Sequence, residues 1–351
     1  MQVIYLANQT PWFGAHTGYE MLPSYVSALG VKTQRYVPAE TIPRRMAGKV
    51  VSLLRGHGQI RQGDAFARAQ LELALRNGKQ RLGHILHGEA HMPYWRDVAP
   101  SLRQRSVLTL HQPPSHIGEE RLQALAAYRH VIVPWRAAQD CFASKMAGGA
   151  VRFILHGADT DFFTPGPPKN GNDASIPPRA LFSGLHLRNT RMLSRIVLNW
   201  KSHRGDLHFD LLIPPQGRAL PGLDELRALP NVAWHAGLSD NELRELYRKA
   251  YFLLLPMQDS GANTAVIEAL ACGLPIITTD VGGIRDYGGG ALFPVVKNDD
   301  DDGMMALMED YLARPAWRDE VGTRLRAFAE AELQWPVIAR QHLGFYREIS
   351  P

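Results

Sequence analysis

The sequence predicts an α/β protein built from two doubly wound domains. Strand-like apolar runs alternate with amphipathic helical patterns along most of the chain, as in parallel sheets covered by helices on both faces. At 351 residues the chain exceeds what one hydrophobic core usually supports. Its texture breaks over residues 157–178, where Pro, Gly, Asn and Asp replace apolar periodicity and mark a linker.

The elements follow in order. Residues 3–7 read as a buried strand, followed by a loop holding Gly14 and Gly18 and a helix over 19–29. Further strands are predicted at 31–36, 83–87, 107–111, 130–133 and 151–155, with amphipathic helical pieces between them. Beyond the linker, strands are expected at 179–183, 207–213, 232–235, 250–255 and 275–279, and helices at 190–200, 223–229, 240–249 and 262–272. Ser239 followed by Glu242 fits a capping box, with Leu243, Leu246 and Tyr247 turned inward. Helical patterns run from residue 301 to the end. The expected organisation is a first domain at 1–157, a linker at 158–178, a second domain at 179–330 and a helix at 331–351 returning to the first. Such sheets bind ligands beyond the carboxyl ends of their strands, so chemistry is expected in a cleft between the domains.

Composition is ordinary for a globular protein, with 45% hydrophobic and 21% charged residues. The sequence lacks an apolar run long enough to span a bilayer, and residues 1–14 lack the pattern of a signal peptide. Cys141 and Cys272 lie far apart, which argues against a disulfide framework and for a reducing cytoplasm. The net charge of +5 favours anionic partners: nucleotide phosphates, an acidic membrane surface or nucleic acid. The sequence has no zinc-finger spacing, recognition-helix motif or ribonucleoprotein signature, so nucleic acid is not expected. Residues 41–62 mix Arg44, Arg45, Lys49, Arg55 and Arg61 with Met46, Val50, Val51, Leu53 and Leu54. On a helix this is basic on one side and apolar on another, which suits peripheral contact with an anionic membrane and equally a helix packed on the first domain.

Residues 251–286, YFLLLPMQDSGANTAVIEALACGLPIITTDVGGIRD, carry the most information: an apolar strand, a polar loop, a helix bearing Glu268, a Cys-Gly-x-Pro break, another strand and Asp-Val-Gly-Gly. The stretch resembles the donor-binding segment of the retaining GT-B glycosyltransferases grouped as family 4, the superfamily of glycogen synthases and phosphatidylinositol mannosyltransferases. Four more segments agree in order. Residues 152–165, RFILHGADTDFFTP, are similar to the family's Asn-Gly-Val-Asp-x-x-x-Phe-x-Pro, with His156 in place of Asn. Residues 181–191, LFSGLHLRNTR, resemble its glycine-ended strand and basic phosphate-clamping loop. Residues 231–238, NVAWHAGL, resemble its base-facing strand and turn, and 107–111, VLTLH, its first-domain strand ending in a cleft His.

The resemblance implies the GT-B fold, with two Rossmann-like domains facing across a cleft. It also implies retaining transfer of a hexose-type sugar from a nucleotide diphosphate sugar, UDP- or GDP-linked, to a glycan or lipid-linked acceptor, with no other cofactor and no metal. The donor would lie on Glu268, Gly261, Ala262, Asn263, Thr264, Gly184, Gly237, Leu238 and Gly14. Amides at the start of the 262–272 helix would face the diphosphate, with Glu268 on the ribose about 7–8 Å further along the axis. Arg188 or Arg191 would supply positive charge, and His111 would touch the sugar or position the acceptor. The family's first Glu falls at Ser260 by spacing, so either Asp259 takes its place or the sugar is held differently. Gly18, His87 and His116 are read on the acceptor side. The pattern His87, Glu89, His91 could suggest a metal, but it follows a strand and contains Pro93, so a cleft-lining loop is expected. Rival readings are a nucleotide-sugar epimerase, an inactive GT-B relative, or a non-enzymatic nucleic-acid- or glycan-binding protein.

Overall fold

A computed structural model describes residues 1–8, 14–38, 41–54, 62–167, 177–203 and 206–350. The chain divides into two compact units. The first comprises residues 1–13, 17–156 and 335–351, and the second residues 14–16 and 157–334. Within the 158–178 segment read as a linker, residues 168–176 lie outside the described residues, as do Arg55 and Arg61.

In unit 1 the elements are β1 (Gln2–Leu6), α1 (Leu22–Ala28), β2 (Lys32–Tyr36), α2 (Ile42–Leu54), α3 (Gln62–Arg76), β3 (Arg81–Ile85), α4 (Gly88–Trp95), α5 (Pro100–Arg103), β4 (Ser106–Thr109), α6 (Glu119–Ala124), β5 (His130–Val133), α7 (Ala137–Ala143) and β6 (Ala150–Phe153). The strands form one parallel sheet in the order β2-β1-β3-β4-β5-β6. Strand alternation splits the core into two layers. Ile4 and Leu6 join Leu71 and Leu75 of α3, whereas Val3 and Tyr5 join Leu22 and Val26 of α1 on the other face.

Unit 2 contains β7 (Arg179–Ser183), α8 (Thr190–His203), β8 (His208–Leu212), β9 (Val232–His235), α9 (Asp240–Lys249), β10 (Phe252–Leu255), α10 (Thr264–Ala271), β11 (Ile276–Thr279), β12 (Val295–Val296), α11 (Asp301–Ala313) and α12 (Pro315–Phe328). Its sheet is also parallel, in the order β12-β11-β10-β7-β8-β9. Read from β9, this is the dinucleotide-fold order, whose direction reverses between β7 and β10. A π-turn at Ala329–Leu333 follows α12, and the final helix, α13 (Trp335–Ile349), belongs to unit 1.

Helix α13 buries Trp335, Ile338, Phe345 and Tyr346 in the α1-side layer and completes a polar chain there. Ile338 O only accepts, so His342 Nδ1 donates to it (2.9 Å), leaving Nε2 to accept from Tyr19 Oη at 2.6 Å. Tyr19 Oη accepts from Thr109 Oγ1 (3.4 Å), which accepts from His84 Nε2 (2.7 Å). His84 Nδ1 accepts from Tyr346 Oη (2.6 Å), which accepts from Tyr5 Oη (3.4 Å). One direction satisfies every ring nitrogen, provided both histidines are neutral. Burial holds them so, pushing His342 down to about 4 and His84 well below its usual range.

Several expectations need correction. Residues 223–229 form no helix beyond a single 3₁₀ turn, because Gly222 (φ 89°) precedes them and Pro230 follows. The segment bearing Glu89 and His91 is helix α4, not a loop. Pro93 sits inside it and loses one i−4 bond, while Met92 and Trp95 are fully buried. On α9 the capping box forms as read, but Tyr247 is buried whereas Leu243 and Leu246 are half-buried. In the acidic run 299–302, Asp300 caps α11, and Asp299 and Asp301 both grip Arg195. Among the described residues no helix is long and apolar enough to cross a membrane.

Candidate active site

In unit 2 the loops after β7 and β10 meet at the point where strand order reverses, where open sheets bind ligands. Asn189 N donates to Pro256 O (2.9 Å) and Gln258 N to Leu187 O (2.9 Å), zipping the two loops together. Leu187 is held at φ 59°, a strained conformation of the kind that clusters at functional sites. Gly184, at φ 87°, ends β7, and a Cβ there would stand 2.9 Å from Arg188 Nη2.

Arg188 is fixed by this geometry. Its Nε donates to Ser183 O (2.9 Å), Nη1 to His186 O (2.9 Å) and Nη2 to Asn263 Oδ1 (3.2 Å). Burial lowers its pKa to about 10, so it is still a cation at neutral pH. None of the ion pairs among the described residues includes it. Asn263 is the N-cap of α10, its Oδ1 also accepting from Ala265 N (3.1 Å). Thr264 begins the helix, where an amide has no intrahelical acceptor and the dipole is positive. A guanidinium and a helix N-terminus thus converge on one spot.

Glu268 lies in the second turn of α10, only 7% exposed. Tyr247 of α9 is its neighbour: burial first, then the Glu268 charge, pushes the phenol well above its usual range. Residues 265–271 are all buried, as the apolar character of the helix on every side requires. Ser260 is buried, donating from Oγ to Gly261 O (2.9 Å), while half-buried Asp259 accepts from Ser260 N (2.7 Å). Gly282 seats this loop: its φ is 51°, and a Cβ there would fall 1.8 Å from Ser260 O. Thr279 fixes the strand end, accepting from Met257 N (2.9 Å) and donating to Met257 O (2.7 Å). Sequence reading missed Leu187, Thr279 and Gly282; the Val-Gly-Gly run after β11 was the available signal for the last.

The remaining residues read on the donor side are dispersed. Arg191 is exposed on the first turn of α8 and is not brought to Arg188. Gly237 (φ 64°) and Leu238 form the β9–α9 turn. Gly14 packs against Asp240, whose Oδ2 accepts from Ala15 N at 2.9 Å. Asp159 accepts from Phe162 N (3.1 Å) and pairs with His16 (2.7 Å), while Arg326 donates to Thr160 O, Phe163 O and Ala271 O.

In unit 1 a histidine group lies where β1, β3 and β4 end, and the strand order turns between β1 and β3. The half-buried His111 donates from Nε2 to Leu86 O at 2.7 Å, and burial lowers its pKa. In the neutral ring Nδ1 then carries no proton and is an acceptor. Glu89, which the sequence placed only in a cleft-lining loop, accepts from the backbone N–H of His111 and Gln112 and so orients the strand end. Tyr19 stands edge-on to His111 at 4.8 Å, and Gly18 (φ 99°) starts its turn. His116 is exposed in a 3₁₀ turn beside Ser115. Among the described residues no group of His, Cys, Asp and Glu is arranged to hold a metal ion.

His87 bonds Glu20 at 2.6 Å. Burial opposes its charge, but the Glu20 carboxylate outweighs burial and raises the His87 pKa; burial likewise opposes the Glu20 charge, and His87 outweighs it to lower that pKa. His87 therefore contributes stability in full below 6.5, lost as pH rises through its raised value, and Glu20 in full above 4.5, lost as pH falls through its lowered value. Between those limits Glu20→Gln should lower thermal stability most, by about 1–3 kcal/mol, with the difference shrinking as pH rises through the raised His87 value. Melting curves against pH check this; a difference independent of pH would contradict the pair.

The fold and the grouping at the β7–β10 switch point define a two-unit Rossmann-like protein of the GT-B type. Residues 179–314, less than half of the chain and all within unit 2, match the family "Glycosyl transferases group 1". D-inositol 3-phosphate glycosyltransferase of Saccharomonospora viridis is 28% identical over 66% of this chain and 58% of its own length. Alpha-maltose-1-phosphate synthase of Mycobacterium tuberculosis is 27% identical over 57% of each chain. The chain spans 38% to 58% of the length of these curated relatives and of the D-inositol 3-phosphate glycosyltransferase of Streptosporangium roseum. Sucrose-phosphate synthase from Thermosynechococcus elongatus superposes with a TM-score of 0.74 at 19% identity, over 99% of both chains. Anabaena HepE in complex with UDP-glucose gives 0.74 at 14% identity, over 99% of this chain and 100% of that one. The resemblance to GT-B glycosyltransferases stands, in fold over the whole length and in sequence chiefly over unit 2.

Proposed function

We propose that this protein transfers a hexose-type sugar from a UDP- or GDP-linked donor to a glycan or lipid-linked acceptor, retaining the anomeric configuration. The reading rests on Arg188, a cation locked by its own loop to the cap of α10 and in no ion pair among the described residues. A largely desolvated cation calls for an anion, and a helix N-terminus beside it suits a diphosphate. The HepE complex with UDP-glucose and the sugar-transferring relatives support the same choice.

As the bond from the sugar's anomeric carbon to the diphosphate breaks, negative charge grows on the leaving phosphate. Arg188 and the α10 amides stabilise it in place, while a phosphate oxygen takes the proton of the attacking hydroxyl. These groups carry the neutralisation in place of a metal, so transfer should survive a chelator. Glu268 accepts from ribose hydroxyls, with Tyr247 bearing on its carboxylate. His111, with Nδ1 as acceptor, orients a hydroxyl of sugar or acceptor.

Thermal-shift screening with UDP-, GDP- and ADP-sugars, followed by a transfer assay, tests the proposal. Glu268→Ala should weaken nucleotide binding by roughly 1.5–3 kcal/mol, the worth of hydrogen bonds to a charged group; unchanged affinity would sink the ribose assignment. Ser260, bonded within its own loop where the family has Glu, favours a second reading: a relative that binds donor without transferring it. Measurable transfer excludes that reading.

A further inference from the structure

Helix α2 is packed inside out. The residues it buries are small, Gly48 and Ser52, with Ala47 and Val51 half-buried beside them. Its opposite face carries Ile42, Met46, Val50, Leu53 and Leu54, between 56% and 81% exposed. At helical spacing these five fall within an arc of roughly 120°, opposite the buried residues. Outside α2, the exposed large apolar side chains among the described residues are Met1, Leu73 and Leu220, and Leu73 lies on α3, against which α2 packs. Most of the exposed large apolar side chains among the described residues therefore form one stripe, which a water-facing helix would not present. Arg45 and Lys49 border the stripe on one side and Arg44 lies beyond the other, while residues 41–54 contain no acidic side chain.

We infer that this face docks on a lipid bilayer bearing anionic headgroups, with α2 lying in the interfacial plane. The aliphatic stripe then leaves water among the upper acyl chains while the basic residues keep their charge at headgroup level. A second copy of this chain fits less well, since it would set two basic helices together without an acid in either to answer them. The inference goes beyond the transfer reaction and does not depend on the donor assignment.

Flotation of the full chain with phosphatidylcholine vesicles, with and without phosphatidylglycerol, tests it. Binding is expected to the anionic vesicles and to weaken with salt. Arg44→Gln, Arg45→Gln and Lys49→Gln together should reduce it on the order of a hundred-fold, at about five-fold per charge. Met46→Glu with Leu53→Glu, both at exposed positions, should abolish it while leaving the melting temperature and the nucleotide-sugar thermal shift unchanged. Failure of the wild type to float, or flotation of the Met46→Glu, Leu53→Glu variant, overturns the proposal. So does a concentration-dependent dimer that this variant dissociates without any vesicle binding, which would make the face a self-interface. A lost nucleotide shift in the wild type would count against the donor reading alone.

Discussion

Replacing Arg188 with alanine should lower the turnover of sugar transfer by roughly a hundred- to a thousand-fold, the cost of removing one preorganised donor to a developing charge. Its three bonds to Ser183 O, His186 O and Asn263 Oδ1 hold the guanidinium in place before any substrate arrives. The favourable interaction therefore needs no reorganisation when the diphosphate becomes more negative. Arg188→Lys should not restore turnover, because one ammonium cannot bond Ser183, Asn263 and a phosphate oxygen in the fork geometry. Steady-state kinetics over a range of donor concentrations give the decisive split. A fall in kcat larger than the rise in KM is expected; a change in KM alone would mean that Arg188 binds donor and transition state equally.

The second large effect is steric and not electrostatic. Gly282→Ala should destabilise unit 2 by roughly 2–5 kcal/mol, combining left-handed strain with overpacking, and should also cost donor affinity. The added Cβ would fall 1.8 Å from a backbone oxygen, Ser260 O, so no side-chain rotation relieves it, and the Asp259–Ser260 segment must move. Gly237→Ala supplies the control: its φ of 64° is as strained, yet nothing lies within 4 Å of the new methyl group. It should cost only about 1–2 kcal/mol and leave the donor loops in place. Thermal denaturation with and without nucleotide distinguishes the two. Equal losses in both variants would show that the Gly282–Ser260 contact does not seat the loop.

The legibility of this molecule differs between its halves. Unit 2 announced itself because its informative segment is local: strand, polar loop, capped helix and Glu268 are consecutive, and a helix cap is written in adjacent residues such as Asn263 and Ala265. The α9 capping box was readable for the same reason. Arg188 and Arg191, three positions apart, could not be told apart. Their fates depend on Leu187 adopting φ 59° and on bonds to Pro256 and Gln258, some seventy residues away along the chain. In unit 1 the histidines were visible, but not Glu20 as the partner of His87, nor the role of Glu89 at the His111 backbone. The amphipathic pattern of α2 was plain, but its periodicity leaves open which face is inside. The burial of Gly48 and Ser52 answers that.

By itself, then, the sequence determined the element order, the two parallel sheets, the capped helix α10 and the resemblance to GT-B glycosyltransferases. All of these are set by periodicity, caps and turns acting over a few residues. Tertiary structure alone decided which arginine meets α10, which glycine seats the Ser260 loop and how Tyr5, Tyr346, His84, Thr109, Tyr19 and His342 share their protons. These outcomes depend on groups distant in sequence being brought within a hydrogen bond's reach. Local propensity carries no information about that distance; only the packing of strand on strand and helix on sheet does.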